Sequence, residues 1–116
     1  MATVTTSFVP VTDTAASAQW YATVLGLRVK DVNPLSALLE GDGATSVTLM
    51  GPRSGIAARP GLQWATFNVK VDDLPATREA LEVAGGSPGL IEGDSSICLF
   101  VVAWDPDRNA LLITDR

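Results

Sequence analysis

Apolar and polar residues alternate most clearly in two segments of the chain, Val4–Val11 and Trp64–Val71, and this alternation predicts a strand with one buried face in each. A stretch with helical spacing follows each segment. Asp13 or Thr14 precedes the first stretch and Asp73 precedes the second, and these side chains can cap a helix by accepting backbone N–H bonds. The pattern therefore predicts that each half of the chain begins with a strand and then a helix.

Both predicted helices end at glycine, the residue that best adopts the left-handed conformation beyond a helix C-terminus. Gly26 follows the first helix, and Gly85 and Gly86 follow the second. Each half then continues with three short apolar stretches separated by turn residues. The predicted strands are Leu27–Val32, Ser36–Glu40 and Ser46–Met50 in the first half, and Gly89–Glu92, Ile97–Trp104 and Ala110–Thr114 in the second.

The two halves also align residue by residue, which indicates an internal repeat. Thr6, Val9, Val11, Asp13, Ala16 and Gly26 align with Thr66, Val69, Val71, Asp73, Ala76 and Gly86. We therefore predict a single α+β domain over residues 1–116, built from two βαβββ modules at 1–51 and 63–116. The glycine- and proline-rich segment 52–62 is predicted to link them, either as an ordinary connector or as the border of a ligand site.

The composition is typical of a folded domain that binds neither nucleic acid nor membranes. Apolar residues are 47% and charged residues 18% of the chain, with a mean hydropathy of +0.24, so enough apolar surface is available for a core. The net charge of −5 and the lack of a basic run argue against nucleic acid and anionic lipid, and an acidic surface tolerates cationic small molecules. The longest apolar run, Ile97–Trp104, is too short to span a bilayer, and the first residues do not form a secretory signal, so we expect a cytoplasmic location.

The absence of histidine excludes several classes of active site. Catalytic triads that depend on histidine, histidine general bases and imidazole-rich metal sites cannot be built from this sequence. Cys98 is the only cysteine, which excludes an internal disulfide and cysteine-based zinc or iron–sulfur sites. We expect Cys98 to act as a small apolar side chain within its strand.

Three short motifs resemble those of a known superfamily. They are Pro10–Asp13 followed by Trp20, Tyr21 and Leu25–Leu27, then Val69–Asp73, and finally Asp105–Asn109 at the predicted last hairpin. Together with the two βαβββ modules, they resemble the vicinal oxygen chelate superfamily, which includes glyoxalase, dioxygenases and bleomycin resistance proteins. The resemblance implies two curved mixed sheets around a cavity, and its character is closest to the metal-free bleomycin-resistance-type binding proteins. Arg108 replaces the glycine of the family's hairpin motif, so we expect Asn109 to be the left-handed residue of this turn.

The resemblance also implies where a metal would bind in this fold. Metal-dependent members carry histidine on the first strand and glutamate on the last strand of each module. These positions correspond to Thr6, Thr48, Thr66 and Leu112 in this sequence. Three hydroxyls and a leucine do not form a ligand set for a divalent metal, so we expect no metal and no cofactor.

Strand alternation adds further residues to the face that carries these four positions. Aromatic side chains on this face offer stacking surfaces, and amide and hydroxyl groups offer hydrogen bonds. Trp104 is expected at the rim, and Glu40 is expected to pair with a cationic group. The predicted ligand-binding residues are Thr6, Phe8, Glu40, Thr48, Met50, Trp64, Thr66, Asn68, Trp104 and Leu112.

These features predict a non-catalytic, metal-free protein that binds an aromatic or cationic natural product, with antibiotic sequestration as its role and a homodimer as its assembly. The alternative is a lyase, isomerase or dioxygenase of the same superfamily, with a displaced metal site at carboxylates such as Glu40, Glu92 and Asp94. A third interpretation is a structural or regulatory module whose cavity is filled, with Phe8, Met50 and Trp64 in a dry core. Trp64 is equally compatible with packing or with a dimer interface.

Overall fold

The computed structural model describes residues 1–116 and contains two α-helices, one short 3₁₀ helix (Pro52–Ser54) and two four-stranded mixed sheets. The elements are β1 (Thr6–Pro10), α1 (Thr14–Leu25), β2 (Arg28–Val32), β3 (Ser36–Glu40), β4 (Ser46–Met50), β5 (Asn68–Lys70), α2 (Leu74–Val83), β6 (Glu92–Asp94), β7 (Cys98–Trp104) and β8 (Ala110–Thr114). The strand orders are β1-β4-β3-β2 and β5-β8-β7-β6. The α+β prediction is therefore confirmed. No helix has the length and apolarity needed to cross a membrane.

The same strand pairing occurs in both sheets. Phe8 of β1 lies opposite Thr48 of β4, and these two strands are parallel. Asn68 of β5 lies opposite Leu112 of β8, again in parallel strands. The repeat seen in the sequence is thus also a repeat of strand register, which makes residues of the two sheets comparable position by position.

An aspartate caps each helix in the same way. The Asp13 carboxylate accepts a hydrogen bond from the Ala16 backbone N–H at 2.9 Å, and the Asp73 carboxylate accepts one from Ala76 at 3.0 Å. Each bond satisfies one of the free N–H groups in the first helical turn. Asp13, rather than Thr14, is therefore the N-cap of α1.

One face of each sheet packs against the helices. The other face is turned away from them, and the exposed fraction of its residues varies from position to position. Alternate strand residues enter the core, since side chains alternate between the two faces of a strand. Tyr21 of α1 and Leu81 of α2 are completely buried against these strands. The strand residues of the hydrophobic core are Val9, Ala37, Leu39, Val47, Leu49, Val101, Ala103, Leu111 and Ile113.

The predicted strands Val4–Val11 and Trp64–Val71 are longer than the observed β1 and β5. In the register of β5 and β8, Ala110 would lie opposite Thr66. The Ala110 backbone N–H instead donates to the Leu62 carbonyl at 2.7 Å, so the segment before β5 has no strand partner at this position. Trp64 and Thr66 therefore precede the strand on which we expected them.

The predicted strand Gly89–Glu92 is also misplaced, since the observed β6 begins at Glu92. The Arg78 side chain of α2 binds backbone carbonyls at the start of the predicted segment. Its guanidinium donates to the Gly89 oxygen at 2.7 Å and to the Pro88 oxygen at 3.3 Å. Gly89 still donates its backbone N–H to the Val102 carbonyl of β7 at 2.9 Å, but the regular ladder with β7 begins only at Glu92.

The turn between β7 and β8 differs from expectation as well. Arg108, with φ of +64°, is the left-handed residue, and the expectation that Asn109 takes this role is wrong. The Asn109 side chain is buried and used elsewhere. Its Nδ2 donates to the Pro10 carbonyl at 2.8 Å, and its Oδ1 accepts from the Gly61 and Leu62 N–H groups at 2.9 and 2.8 Å.

A buried polar cluster, formed by Tyr21, Asp105 and Asn109, connects the two modules. The Asp105 carboxylate, which is 2% exposed, accepts from the Tyr21 hydroxyl at 2.7 Å and from Asn109 Nδ2 at 2.9 Å. Burial, together with the adjacent Asp105 charge, raises the pKa of Tyr21 far above its ordinary value. This cluster fixes the last hairpin against α1.

Candidate functional site

The exposed face of the second sheet carries an apolar groove of about 460 Å³, referred to below as the second-sheet groove. Seven of its ten lining residues are hydrophobic, and none carries a charge. Its lining includes Trp64, Thr66, Asn68, Val102, Ala110 and Leu112. Apolar concavities with a few polar groups are the usual form of small-molecule sites.

Three strands build the floor of this groove. Leu112 on β8 lies between Asn68 on β5 and Val102 on β7, so these three side chains form one row across the sheet. Val102 remains 38% exposed, although it is surrounded by strands. Trp64, in the segment before β5, is 82% exposed and stands at the mouth of the groove. The row therefore presents apolar surface to solvent.

Four predicted ligand-binding residues, Trp64, Thr66, Asn68 and Leu112, line the second-sheet groove. The amide of Asn68 is anchored there, because its Nδ2 donates to Thr114 Oγ1 at 2.7 Å.

The predicted residues of the first sheet form a separate group. Thr6 Oγ1 and Thr48 Oγ1 are hydrogen-bonded to each other at 2.7 Å, and the Thr6 hydroxyl also lies 3.2 Å from the Ser46 carbonyl. Phe8 lies opposite Thr48 and is 56% exposed. None of these residues lines the second-sheet groove.

The remaining three predicted residues lie on strands of the same two sheets, but their side chains have other neighbours. Met50 lines a depression of about 320 Å³ that is bordered by residues 56–60 of the linker. Glu40 forms an ion pair with Lys30 at 3.4 Å. Trp104 lies beneath the Arg108 guanidinium, 5.3 Å from its ring centre. The ten predicted residues therefore do not line one cavity, because the two sheets hold them on separate surfaces.

Val102 is a groove residue that the sequence analysis missed. It lies within the predicted strand Ile97–Trp104, in phase with Trp104, so strand alternation indicates which face it occupies. Its position beside Leu112 depends on the register between β7 and β8. That register was the missing information.

A sequence profile of the Glyoxalase family, described as the Glyoxalase/Bleomycin resistance protein/Dioxygenase superfamily, matches residues 3–111. This chain belongs to that superfamily. No curated protein matches it significantly in sequence.

Several solved structures share the superfamily fold with this chain. A bleomycin resistance determinant encoded on the transposon Tn5 is 16% identical, with a TM-score of 0.72, and the match covers 99% of this chain and 98% of that one. TnmS3, an antibiotic-binding protein from Streptomyces sp. CB03234, is 19% identical with a TM-score of 0.73, covering 97% and 94%. The oxidase ChaP-H2 is 23% identical with a TM-score of 0.75, covering 99% and 94%. At these identities the likeness establishes the fold alone.

The superfamily's metal positions do not fit a metal ion in this member. At two of them the Thr6 and Thr48 hydroxyls bond to each other, and Leu112, at another, has no donor atom. Divalent metals in proteins require imidazole, thiolate or carboxylate ligands, or several oxygens together. No three histidine, cysteine, aspartate or glutamate side chains are clustered as a metal site would need.

Two of the three carboxylates considered for a displaced metal site, Glu40 and Asp94, are engaged with groups of the chain itself. Glu40 is paired with Lys30, as described above. Asp94, in the turn after β6, accepts hydrogen bonds from the Ser96 backbone N–H at 2.8 Å and from its hydroxyl at 2.6 Å. These bonds hold the pKa of Asp94 below its ordinary value. Both carboxylates thus have local structural partners.

Proposed function

We propose that this protein binds a small, planar organic molecule in the second-sheet groove and performs no reaction on it. The observation that carries this proposal is the combination of volume and chemistry in the groove. A volume of about 460 Å³ is sufficient for a ligand of several rings, and the exposed row of Asn68, Leu112 and Val102 is largely apolar. Burying this surface against a ligand is favourable, since each Å² of apolar area removed from water contributes about 25 cal/mol.

The groove also lacks the groups that catalysis requires. General acid–base catalysis needs a titratable side chain within hydrogen-bonding distance of the reacting group. The polar side chains in the groove are those of Gln63, Thr66 and Asn68, and none of them exchanges protons near neutral pH. The carboxylates of the alternative, an enzyme with a displaced metal site, do not line this groove. These facts favour binding over turnover.

Antibiotic sequestration is the role that we propose for this binding. Two proteins of the same fold are described as a bleomycin resistance determinant and an antibiotic-binding protein. An oxidase also has this fold, so the fold alone does not distinguish a binding protein from an enzyme. We prefer binding to catalysis because the groove carries no charged side chain.

We further propose that the protein acts as a homodimer. The edge strand β2 of the first sheet exposes Val29 at 42% and Val32 at 39%, and Leu35 beside it is 51% exposed. An open sheet edge that carries apolar side chains favours pairing with a second copy of the chain. Sedimentation velocity tests this part: a monomer at micromolar concentration would overturn the dimer and leave the binding proposal intact.

A thermal-shift screen with aromatic natural products, bleomycin-like compounds and quinones tests the binding itself, using protein treated with chelator. A ligand at 100 times its dissociation constant stabilises the folded state by about 2.7 kcal/mol. We expect Trp64→Ala to remove this stabilisation. Ile97→Ala, which shortens an apolar side chain exposed outside the groove, is the control and should preserve it.

Two results would overturn the binding proposal. One is a stabilisation that Trp64→Ala leaves unchanged. The other is stabilisation by divalent cations with none by organic compounds, which would favour the enzyme alternative.

A further inference from the structure

Asn68 is the polar side chain of the second-sheet groove whose orientation the structure fixes. Its Nδ2 donates to Thr114 Oγ1 at 2.7 Å, and the Thr114 hydroxyl donates its single proton to the main-chain oxygen of Arg116 at 2.9 Å. Because that proton is used, the Thr114 oxygen can only accept from Asn68, so the amide nitrogen must face Thr114. The Asn68 Oδ1 accepts no hydrogen bond within the chain, so it is free to accept one from a ligand in the groove that Asn68 lines.

The other polar residues of the groove, Gln63 and Thr66, are less constrained. Both precede β5, and neither side chain has a hydrogen-bond partner in the chain that would hold it in one rotamer. Ordering such a side chain on binding costs conformational entropy, whereas Asn68 is already ordered. The Asn68 oxygen is therefore the preorganised polar contact of this groove.

No charge faces the ligand. All the lining residues are uncharged. Lys70, two residues after Asn68, lies outside the groove, and its Nζ is 3.8 Å from Asp72 Oδ1. A charged group placed in this groove would lose part of its hydration without meeting an opposite charge, which is unfavourable.

We infer that the second-sheet groove selects an uncharged aromatic ligand that carries a hydroxyl or N–H donor, with the donor bonded to Asn68 Oδ1 and the ring against Leu112 and Val102. This inference rests on the proposed function and narrows it, since the sequence left both aromatic and cationic ligands open. The fixed acceptor and the absence of charge together favour the neutral class.

Four naphthalene probes of similar size test this selectivity by calorimetry: naphthol, its methyl ether, naphthoate and naphthylmethylammonium. Naphthol should bind about threefold to tenfold more tightly than the ether, which cannot donate a hydrogen bond. Both charged probes should bind at least about tenfold more weakly than naphthol, because neither finds a counter-charge.

Substitutions of Asn68 test whether this residue causes the preference for naphthol over the other probes. Asn68→Leu keeps the approximate size and should make naphthol and its ether bind equally. Asn68→Asp introduces a negative charge and should reverse the order, so that the ammonium probe binds more tightly than naphthol. Phe8→Leu, at the equivalent position of the first sheet, is the matched control and should leave all four affinities unchanged.

The outcomes separate this inference from the proposed function. Equal binding of naphthol and ether that is lost in Trp64→Ala, but unaffected by Asn68→Leu, overturns the inference and retains the groove as the binding site. If the unmodified protein binds the ammonium probe more tightly than naphthol, the inference is likewise overturned and the groove is retained as the binding site. Binding that survives both Trp64→Ala and Asn68→Leu overturns the inference and the proposed function together. Failure of all four probes to bind overturns the inference.

Discussion

The two modules share a backbone arrangement but present different exposed faces. Phe8 and Asn68 occupy equivalent places on β1 and β5, and Thr48 and Leu112 occupy equivalent places on β4 and β8. In the first sheet the Thr48 hydroxyl is satisfied by a neighbouring threonine. In the second sheet the same place carries an apolar side chain at the floor of a groove.

The positions that face the helices behave differently from those on the exposed faces. Leu49 and Ile113, which are equivalent, are both buried and both aliphatic. Close-packed positions tolerate few changes of size or polarity, whereas exposed ones can change at little cost in stability. A duplicated scaffold can thus keep its fold while one face becomes specialised for a ligand.

The hairpin turns form a second contrast between the modules. In the turn between β3 and β4, the Asp42 carboxylate is fully exposed and pairs with Arg28, whose side chain is also largely exposed. In the turn between β7 and β8, Asp105 is buried and bonded to Tyr21 and Asn109. Only the second turn therefore contributes to the contact between modules.

The largest predicted effect comes from breaking that buried turn. Asp105→Ala leaves the Tyr21 hydroxyl and the Asn109 N–H groups without their acceptor in a buried place, so the free energy of unfolding should fall by about 3–5 kcal/mol. Urea unfolding measures the change. Asp42→Ala in the other turn is the control and should show no resolvable effect. Similar losses in both variants would contradict the contrast drawn between the turns.

The same cluster predicts a fall in stability at alkaline pH. Tyr21 is the only tyrosine, and burial raises its pKa in the folded state, so it keeps its proton where an unfolded tyrosine, with a pKa of about 10, loses it. Above about pH 10 the unfolded state binds fewer protons, and the free energy of unfolding should decrease by about 1.4 kcal/mol per pH unit.

Tyr21→Phe isolates this effect from other groups that titrate in the same range. The variant should be less stable than the unmodified protein near neutral pH, because Asp105 loses a hydrogen bond. The two stability curves should then converge above about pH 10, since phenylalanine has no proton to lose. Curves that stay parallel would argue against a raised pKa for Tyr21.

Local sequence signals account for much of this fold. The aspartate caps depend on residues only three positions apart, and the central strands are set by alternation within one segment. The short strands β5 and β6 were misplaced because their limits depend on distant partners. Leu62 takes the bond that would extend β5, and Arg78 takes carbonyls before β6.

The candidate site was predictable only in part, for the same reason. Strand alternation identified which face carries Asn68 and Leu112, and both line the groove. Phe8 and Met50 do not line this groove, because the arrangement of the two sheets depends on contacts that are remote in sequence, such as that of Asn109 with Pro10. The expectation for the left-handed turn residue was wrong for a similar reason, since the local sequence does not show that Asn109 is buried.

Exchanging one residue between the exposed faces tests whether they differ in function. Leu112→Thr places the residue of the first sheet on the floor of the groove, and it should weaken naphthol binding about tenfold by removing apolar contact. The reciprocal variant Thr48→Leu should leave binding unchanged, although it removes the hydroxyl partner of Thr6. Calorimetry with both variants gives the comparison. Equal weakening in the two variants would mean that the ligand contacts both sheets.

The smallest predicted difference lies at the helix caps, where the two modules are alike. Asp13→Ala and Asp73→Ala each remove one hydrogen bond to the first helical turn, so each should lower the free energy of unfolding by about 1 kcal/mol. The double variant should lose the sum, because the two caps share no contact and distant substitutions are additive. Urea unfolding of the three variants measures this. A much larger loss at one cap would mean that the repeat, which is so regular in strand register, does not extend to the stability of its helices.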